Sequence, residues 1–367
     1  MYESTIAADH LKVAATSGFP PEIDALAERN LAGHRFLRAS WYRAGSPDAG
    51  RTLLLRGTDG APLAAIPTVP FGPAITGARK VPGSYWPLRS PLISPDCDIF
   101  ELAHALEHAA ARSLGPVWRI GPARRDDPAI ALLIGAAHLA NWRIVARPAG
   151  TSWVVDLDKA RKDGWPRASR ARKLRAAWRK LCELGTPHWR QYRGSEWNAG
   201  VLEAMGRIEA QSWIVRKTDG RGAKFLTAAQ RGLWQDALCD PVIAESLVAT
   251  ILTLDDRPVT FSFDLDDGPV RYGIASSYAE DLKSFNIGKL VNSRVLEEAI
   301  GAGQRLLDLG VGDSGYKAQM GAAEGYAMTD LLFVRSPAAA LLLARVWGKE
   351  LLPDYPGTLA LRSPAHG

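Results

Sequence analysis

The sequence predicts a mixed α/β protein of two related units in tandem, each a twisted mixed sheet flanked by helices. Three observations predict it. The chain has 367 residues, which at roughly 150 residues per domain gives two domains. Residues 53–67 (LLLRGTDGAPLAAIP) and 249–263 (ATILTLDDRPVTFSF) share one layout of strand, acidic turn, proline and strand, with Asp59 matching Asp255 and Pro62 matching Pro258. Two apolar runs joined by so short a turn form an antiparallel hairpin. After each hairpin come a helix and a strand, at 99–114 and 117–120 in the first half and at 289–302 and 305–309 in the second.

Between the halves, residues 158–165 with Gly164 and Pro166 read as a polar connection. The expected division is 1–160 for a first, noncatalytic domain, 161–335 for a second, catalytic domain, and 336–367 for a C-terminal helix and tail. Hydrophobic residues make up 47% and charged residues 23%, which excludes disordered and fibrous classes. Cys97, Cys182 and Cys239 form no C-x-x-C pair, so no zinc knuckle or dithiol motif is available and a reducing compartment is expected. The first thirty residues lack the basic and apolar regions of a secretory signal, so a cytoplasmic location is expected. Residues 331–347 are interrupted by Arg335, Pro337 and Arg345 and fall short of the ~20 apolar residues of a membrane-spanning helix. They read as a strand and a packed helix.

The net charge of +6 is concentrated in one place. Residues 161–180 hold nine basic side chains against Asp163 alone, more positive charge than the whole chain's balance. Ala171, Leu174, Trp178 and Leu181 recur there at helical spacing, which makes this a basic amphipathic helix with Gly185 placed to cap its end. Its arginines either contact phosphate, on a cofactor, transfer RNA or anionic lipid, or form a solvated face.

Three motifs match by letters and fail on physics. Gly310-Val-Gly312-Asp313-Ser314-Gly315 spells a dinucleotide fingerprint, yet the following residues are glycine-punctuated and lack the βαβ units that build the crevice. The same Gly312-Asp313-Ser314-Gly315 has no histidine to serve as base between His188 and His366. His104-Ala-Leu-Glu107-His108 has zinc-hydrolase spacing but no recognisable third ligand, so no metal is expected.

The chemistry concentrates in residues 269–321. Strand 270–275 leads through a polar loop to Ser284-Phe285-Asn286-Ile287-Gly288 and a helix beginning at Lys289. A helix opening on glycine and lysine directs backbone N–H groups, the positive dipole end and an ammonium to one place, which suits a pyrophosphate. Read structurally, Asn286 caps the helix and Gly288 turns the chain.

The run SYAEDLKSFNIGKLVNSRVLEEAIGAGQRLLDLGVGDSGYKAQMGA resembles the C-terminal signature of the CelD-like acetyltransferase branch of the GNAT superfamily. It carries Tyr278 in a loop, Gly288-Lys289-Leu290 at a helix start, Asp308 on a strand, then Gly312 and Tyr316-Lys317. The basic helix and Glu209-Ala-Gln-Ser212-Trp213 look like that family's lead-in, so the likeness spans residues 164–326. The related Fem-type peptidyltransferases share the Tyr-Lys ending and use two tandem GNAT units.

The resemblance implies an acyltransferase with acyl-CoA in the cleft of a split sheet. Asn286, Ile287, Gly288 and Lys289 would form the pyrophosphate turn, and Ile274, Ala275 and Ser276 would offer backbone groups to pantetheine and the thioester carbonyl. An acceptor amine or sugar hydroxyl, on a small molecule, glycan or peptide, would attack acetyl-CoA or another acyl-CoA directly. Lys317 would stabilise the oxyanion or acceptor, the matching lysine having a catalytic role in Fem-type relatives, and its loss would stop turnover while leaving stability nearly unchanged. Asp313 would accept the proton or hold the acceptor's ammonium, Tyr316 or Tyr272 would protonate the leaving thiolate, and Trp213 and Tyr278 would border the substrate. The helix-start loop is poorer in glycine and arginine than the superfamily's usual one. That leaves room for an aminoacyl-tRNA donor, or for a noncatalytic acyl-ligand-binding regulator of envelope polysaccharide synthesis.

Overall fold

The computed structural model describes residues 11–44, 49–83, 90–312, 315–348 and 350–352. The chain divides into two compact units, Met1–Gly150 with Ala327–Gly367, and Thr151–Tyr326.

The first unit opens with β1 (Lys12–Ser17), α1 (Glu22–Ala27) and α2 (Ala39–Arg43). The expected hairpin follows, β2 (Arg51–Arg56) antiparallel to β3 (Pro62–Pro70), with the Asp59 carboxylate closing the turn on the Ala61 N–H. Next come β4 (Arg79–Lys80), β5 (Leu92–Ile93), α3 (Ile99–Glu107), α4 (Ala109–Arg112), β6 (Val117–Arg124) and α5 (Pro128–Leu139). The single helix expected at 99–114 is two, because His108 adopts extended backbone and its Nδ1 accepts from the Ala110 N–H to cap α4. That cap also takes up the histidine of the zinc-like motif, and the described residues hold no cluster of three metal-ligating side chains. The core of this unit is built on Trp41, Tyr42, Leu54, Ile66, Trp118 and Trp142, all buried.

The strand β7 (Arg143–Asp156) leads into the second unit. The expected polar connection is instead a helix, α6 (Leu157–Lys162): Asp156 accepts from the Lys159 N–H at its start, and Leu157 is buried with Leu296 and Leu307. The basic helix is α7 (Ala168–Cys182), followed by β8 (Pro187–Tyr192). Gly185 does not cap it. The helix ends at Glu183, and Gly185 packs on Asp255, whose carboxylate a Cβ there would meet at 2.5 Å. Helices α8 (Ala199–Ala210), α9 (Trp213–Thr218), α10 (Ala228–Leu238) and α11 (Pro241–Ser246) precede the second hairpin, β9 (Leu247–Leu254) and β10 (Arg257–Asp267). Then come β11 (Val270–Tyr278), α12 (Ile287–Gly301), β12 (Leu306–Val311), α13 (Tyr316–Met320) and β13 (Ala323–Val334). Next come α14 (Pro337–Val346) and β14 (Glu350–Leu351), and the end of β13 with α14 are the strand and helix expected at 331–347.

In the second unit β8, β9, β10 and β11 pair antiparallel in that order. Strands β11 and β12 then run parallel, and β12 pairs antiparallel with residues 152–156 of β7. Phe225, Trp234, Phe261 and Phe263 meet edge-on or tilted in one aromatic cluster. Ala177 and Leu181 of α7 and Ile287 and Leu290 of α12 pack on Leu252 and Val259. The basic helix is therefore anchored by one apolar stripe, which fixes where its charged sides point. Among the described residues no helix is long and apolar enough to cross a membrane.

Candidate active site

The site begins where two parallel strands stop pairing. Strand β11 meets β12 only at Val270–Leu306, Arg271–Leu307 and Tyr272–Asp308. Beyond Tyr272, Ala275 and Ser276 still pair with Phe263 and Ser262 of β10. The edge of residues 274–276 that faces away from β10 has no ladder partner in β12. Ile274 is buried there and Ser276 exposed. A strand edge with unpaired N–H and C=O groups is a template for an extended ligand.

Strand β11 ends at Tyr278, whose ring packs against the start of α12. A Cβ at Gly288 would come within 3.0 Å of that ring, so glycine is what allows the helix start and the tyrosine to meet. Asn286 precedes the helix in left-handed conformation (φ 57°), and its side chain makes no cap hydrogen bond. Here the structure differs from the capping role open to Asn286 in the sequence. The first turn keeps its outward N–H groups.

Beside this helix start lies a cavity of about 450 Å³. Asn286 with Lys289 and Asn292 of α12 line one side, Arg170, Lys173 and Lys180 of α7 another, and Tyr316 and Gln319 of α13 a third. Among the described residues that line it there is no carboxylate. Lys173, Lys180 and Lys289 have no ion-pair partner among the described residues, whereas Arg170 donates to the Gln319 carbonyl and lies over the Trp165 ring at 5.5 Å. Burial lowers the Arg170 pKa from its ordinary value. Helix α7, like α12, starts with no side-chain cap. Two 15-residue helices thus bring open N-terminal turns and four cations to one cavity, an arrangement that attracts phosphate.

The end of β12 is held by a second set of contacts. Asp308 is buried, and its carboxylate accepts from the Ser152 hydroxyl, the Gly310 N–H at 2.7 Å and the Tyr326 hydroxyl. Lys317 is only 5% exposed, and its ammonium donates to the carbonyls of Gly310 (2.8 Å) and Val311 (3.2 Å). Its expected neutrality for stability is therefore corrected: the charge is built into the end of the strand. The two tyrosines separate. Tyr316 is 39% exposed and lines the cavity, whereas Tyr272 is 5% exposed at the last paired position. Trp213 stands exposed at the start of α9 and is not among the residues lining this cavity. Asp313 lies outside the described residues.

Sequence reasoning singled out Asn286, Lys289 and Tyr316, and the cavity gathers all three. It did not connect them to Arg170, Lys173 and Lys180, because the signal was a charge run and nothing local says which side of a basic helix faces a site. It also missed Asp264. That side chain is buried on β10, accepts from Ser262 at 2.9 Å, and lies 3.6 Å from where a Gly273 Cβ would be. Burial pushes its carboxyl up to about 7, against the lowering pull of Arg271 and Ser262.

Residues 168–318 match the model of the acetyltransferase (GNAT) domain. The second unit carries a GNAT acyltransferase domain. Its split parallel pair and following helix are the parts that domain was expected to provide. No curated protein matches the chain. Among solved structures, FemX is similar over 89% of this chain and 99% of its own, at 10% identity and TM-score 0.57. The C-terminal domain of a protein described as a lysylphosphatidylglycerol synthetase from Agrobacterium fabrum is similar over 91% and 97%, at 13% identity and TM-score 0.53. A tandem GNAT protein from the clavulanic acid biosynthesis pathway is similar over 89% and 99%, at 14% identity and TM-score 0.50. At these identities the likeness is one of fold, and it supports a GNAT-like architecture across nearly the whole chain.

Proposed function

We propose that the second unit is an acyl-CoA-dependent acyltransferase of the CelD-like branch, acting on an amine or a sugar hydroxyl by direct attack on the thioester. The observation that carries this reading is the cavity at the uncapped starts of α7 and α12, lined by four cations and, among the described residues, by no carboxylate. Asn286, Ile287, Gly288 and Lys289, with Arg170, Lys173 and Lys180, would hold the phosphates of the donor. Bound there, the donor supplies an activated acyl carbonyl. Residues 274–276 offer backbone groups along the splayed edge to orient it, and orientation removes much of the barrier to attack. Lys317 places a positive charge at the end of β12, where it supports an oxyanion and holds the strand end in position. Tyr316 is the proton source for the leaving thiolate, since Tyr272 is buried.

A second reading keeps the domain and changes the donor. The turn Asn286-Ile287-Gly288-Lys289 contains no arginine and one glycine, and the same four cations suit the phosphates at the 3′ end of an aminoacyl-tRNA. Thermal-shift titration with acetyl-CoA, free CoA, a long-chain acyl-CoA and NADH separates the two. A ligand at 100 times its Kd adds about 2.7 kcal/mol of stability, so selective stabilisation by one CoA ester is the expected result. No shift with any CoA compound transfers the reading to the tRNA donor, to be checked by binding of charged tRNA.

A further inference from the structure

The other face of α7 lines a second cavity, of about 650 Å³, together with β8 and α12. We propose that this cavity binds a nucleoside phosphate, with the base against Trp178 and Trp189 and the phosphate on Arg172, Arg175 and Arg179. It is separate from the acyl-transfer cavity and does not depend on which donor that cavity takes.

Three independent features point to this ligand. Arg172, Arg175 and Arg179 recur at i, i+3 and i+7, so they form one ridge, turned away from the side that carries Lys173 and Lys180. None of the three has an ion-pair partner among the described residues, which leaves positive charge without internal compensation. Trp178 and Trp189 stack with ring centroids 6.4 Å apart and planes 13° apart, giving the cavity a flat aromatic wall. Arginine beside stacked aromatic rings is the combination that holds unpaired bases.

The third feature is Ser293, which lines the cavity from α12. It is 3% exposed, and its hydroxyl has no hydrogen-bond partner among the described residues. Buried polar groups are nearly always paired, so a ligand that presents a polar edge here supplies what the chain does not. Glu297 lies one turn further along the same wall, while Arg294 is engaged with Glu298 at 2.8 Å. A bare phosphate would leave the indoles and Ser293 unused, and an uncharged aromatic would leave the three arginines unused. A base linked to a phosphate uses all of them, and the cavity is of the size that encloses small ligands. The ligand is either a free nucleotide or an unpaired nucleotide of an RNA strand, which share this chemistry.

The test is calorimetric titration of the full chain with AMP, adenosine, inorganic phosphate and a short single-stranded oligoadenylate. AMP should bind saturably, with adenosine and phosphate each about tenfold weaker or more. Arg175→Gln combined with Arg179→Gln, both exposed positions, should weaken AMP about tenfold. Lys173→Gln combined with Lys289→Gln, in the other cavity, should change it less than about twofold. Oligoadenylate tighter than AMP identifies an RNA strand as the source, and oligoadenylate equal or weaker identifies the free nucleotide. Saturable binding by neither AMP nor oligoadenylate, or a loss that follows Lys173 and Lys289 instead, overturns the proposal. A second measurement uses the unaltered protein: photolabelling with 8-azido-AMP should mark the peptides holding Trp178 or Trp189, and labelling confined to residues 286–292 or 316–320 overturns it equally.

Discussion

Two helices of the first unit and two of the second start in opposite ways. In the first, α3 opens on a full capping box: Asp98 accepts from the N–H groups of Phe100 and Glu101, and Glu101 accepts in turn from the Asp98 N–H. Helix α5 opens on Asp127, which accepts from Ala129 and Ile130. In the second, α7 and α12 have no side-chain cap, and cations replace the carboxylates around them. A capped start satisfies its donors internally, whereas an uncapped one keeps them for something else. One fold plan can therefore serve as scaffold in one place and anion receptor in another, according to a few residues at helix starts.

Reversing charge at the open starts should have the largest effect. Lys173→Glu with Lys289→Glu removes two charge-assisted contacts, each worth about 1.5–3 kcal/mol, so donor affinity should fall about 10²–10⁴-fold. Retained affinity in a binding titration would break the contrast between these two pairs of helix starts. Asp264 comes next. Its carboxyl is raised to about 7, so the native state keeps a proton that the unfolded chain has lost. Its favourable contribution is complete below about pH 4 and is lost as pH climbs to about 7, at about 1.4 kcal/mol per pH unit. Denaturant unfolding at several pH values should show that decline, and Asp264→Asn should flatten it.

Lys317→Ala should remove turnover and also cost about 1–3 kcal/mol, since two buried carbonyls lose a charged donor. A thermal melt indistinguishable from the parent would show that the carbonyls find other partners. The smallest effect belongs to the first unit. Asp98→Ala should cost about 1 kcal/mol in stability and leave the acyl-transfer rate where it was. A fall in that rate beyond what the stability loss explains would mean that a filled helix start has a task as well.

Much of this was legible in the sequence. The hairpins, the helix after β11 and the basic helix were visible because apolar period and turn residues are local signals. The split at Tyr272 and Asp308 was not, since an ending in strand pairing is a relation between residues 36 positions apart. The same holds for Lys317, which reads as a surface residue until the carbonyls of Gly310 and Val311 are seen beneath its ammonium. Asp158 and its neighbours looked like a linker because a six-residue helix has too few turns to show a period. Its signal was Asp156 at the cap and buried Leu157. The basic helix was found at once and half understood: its charge is a composition fact, but which arginine faces which cavity follows only from where Ala177 and Leu181 are buried.

One carboxylate closes the second unit on itself. Asp308 is bonded by Ser152, the second residue of the unit, and by Tyr326, the residue at which it ends. The boundaries at 151 and 326 fall inside β7 and β13, so the clasp sits on two strands that continue beyond the unit. The aspartate that borders the transfer site is thus also the clasp that ties the strand entering the unit to the strand leaving it.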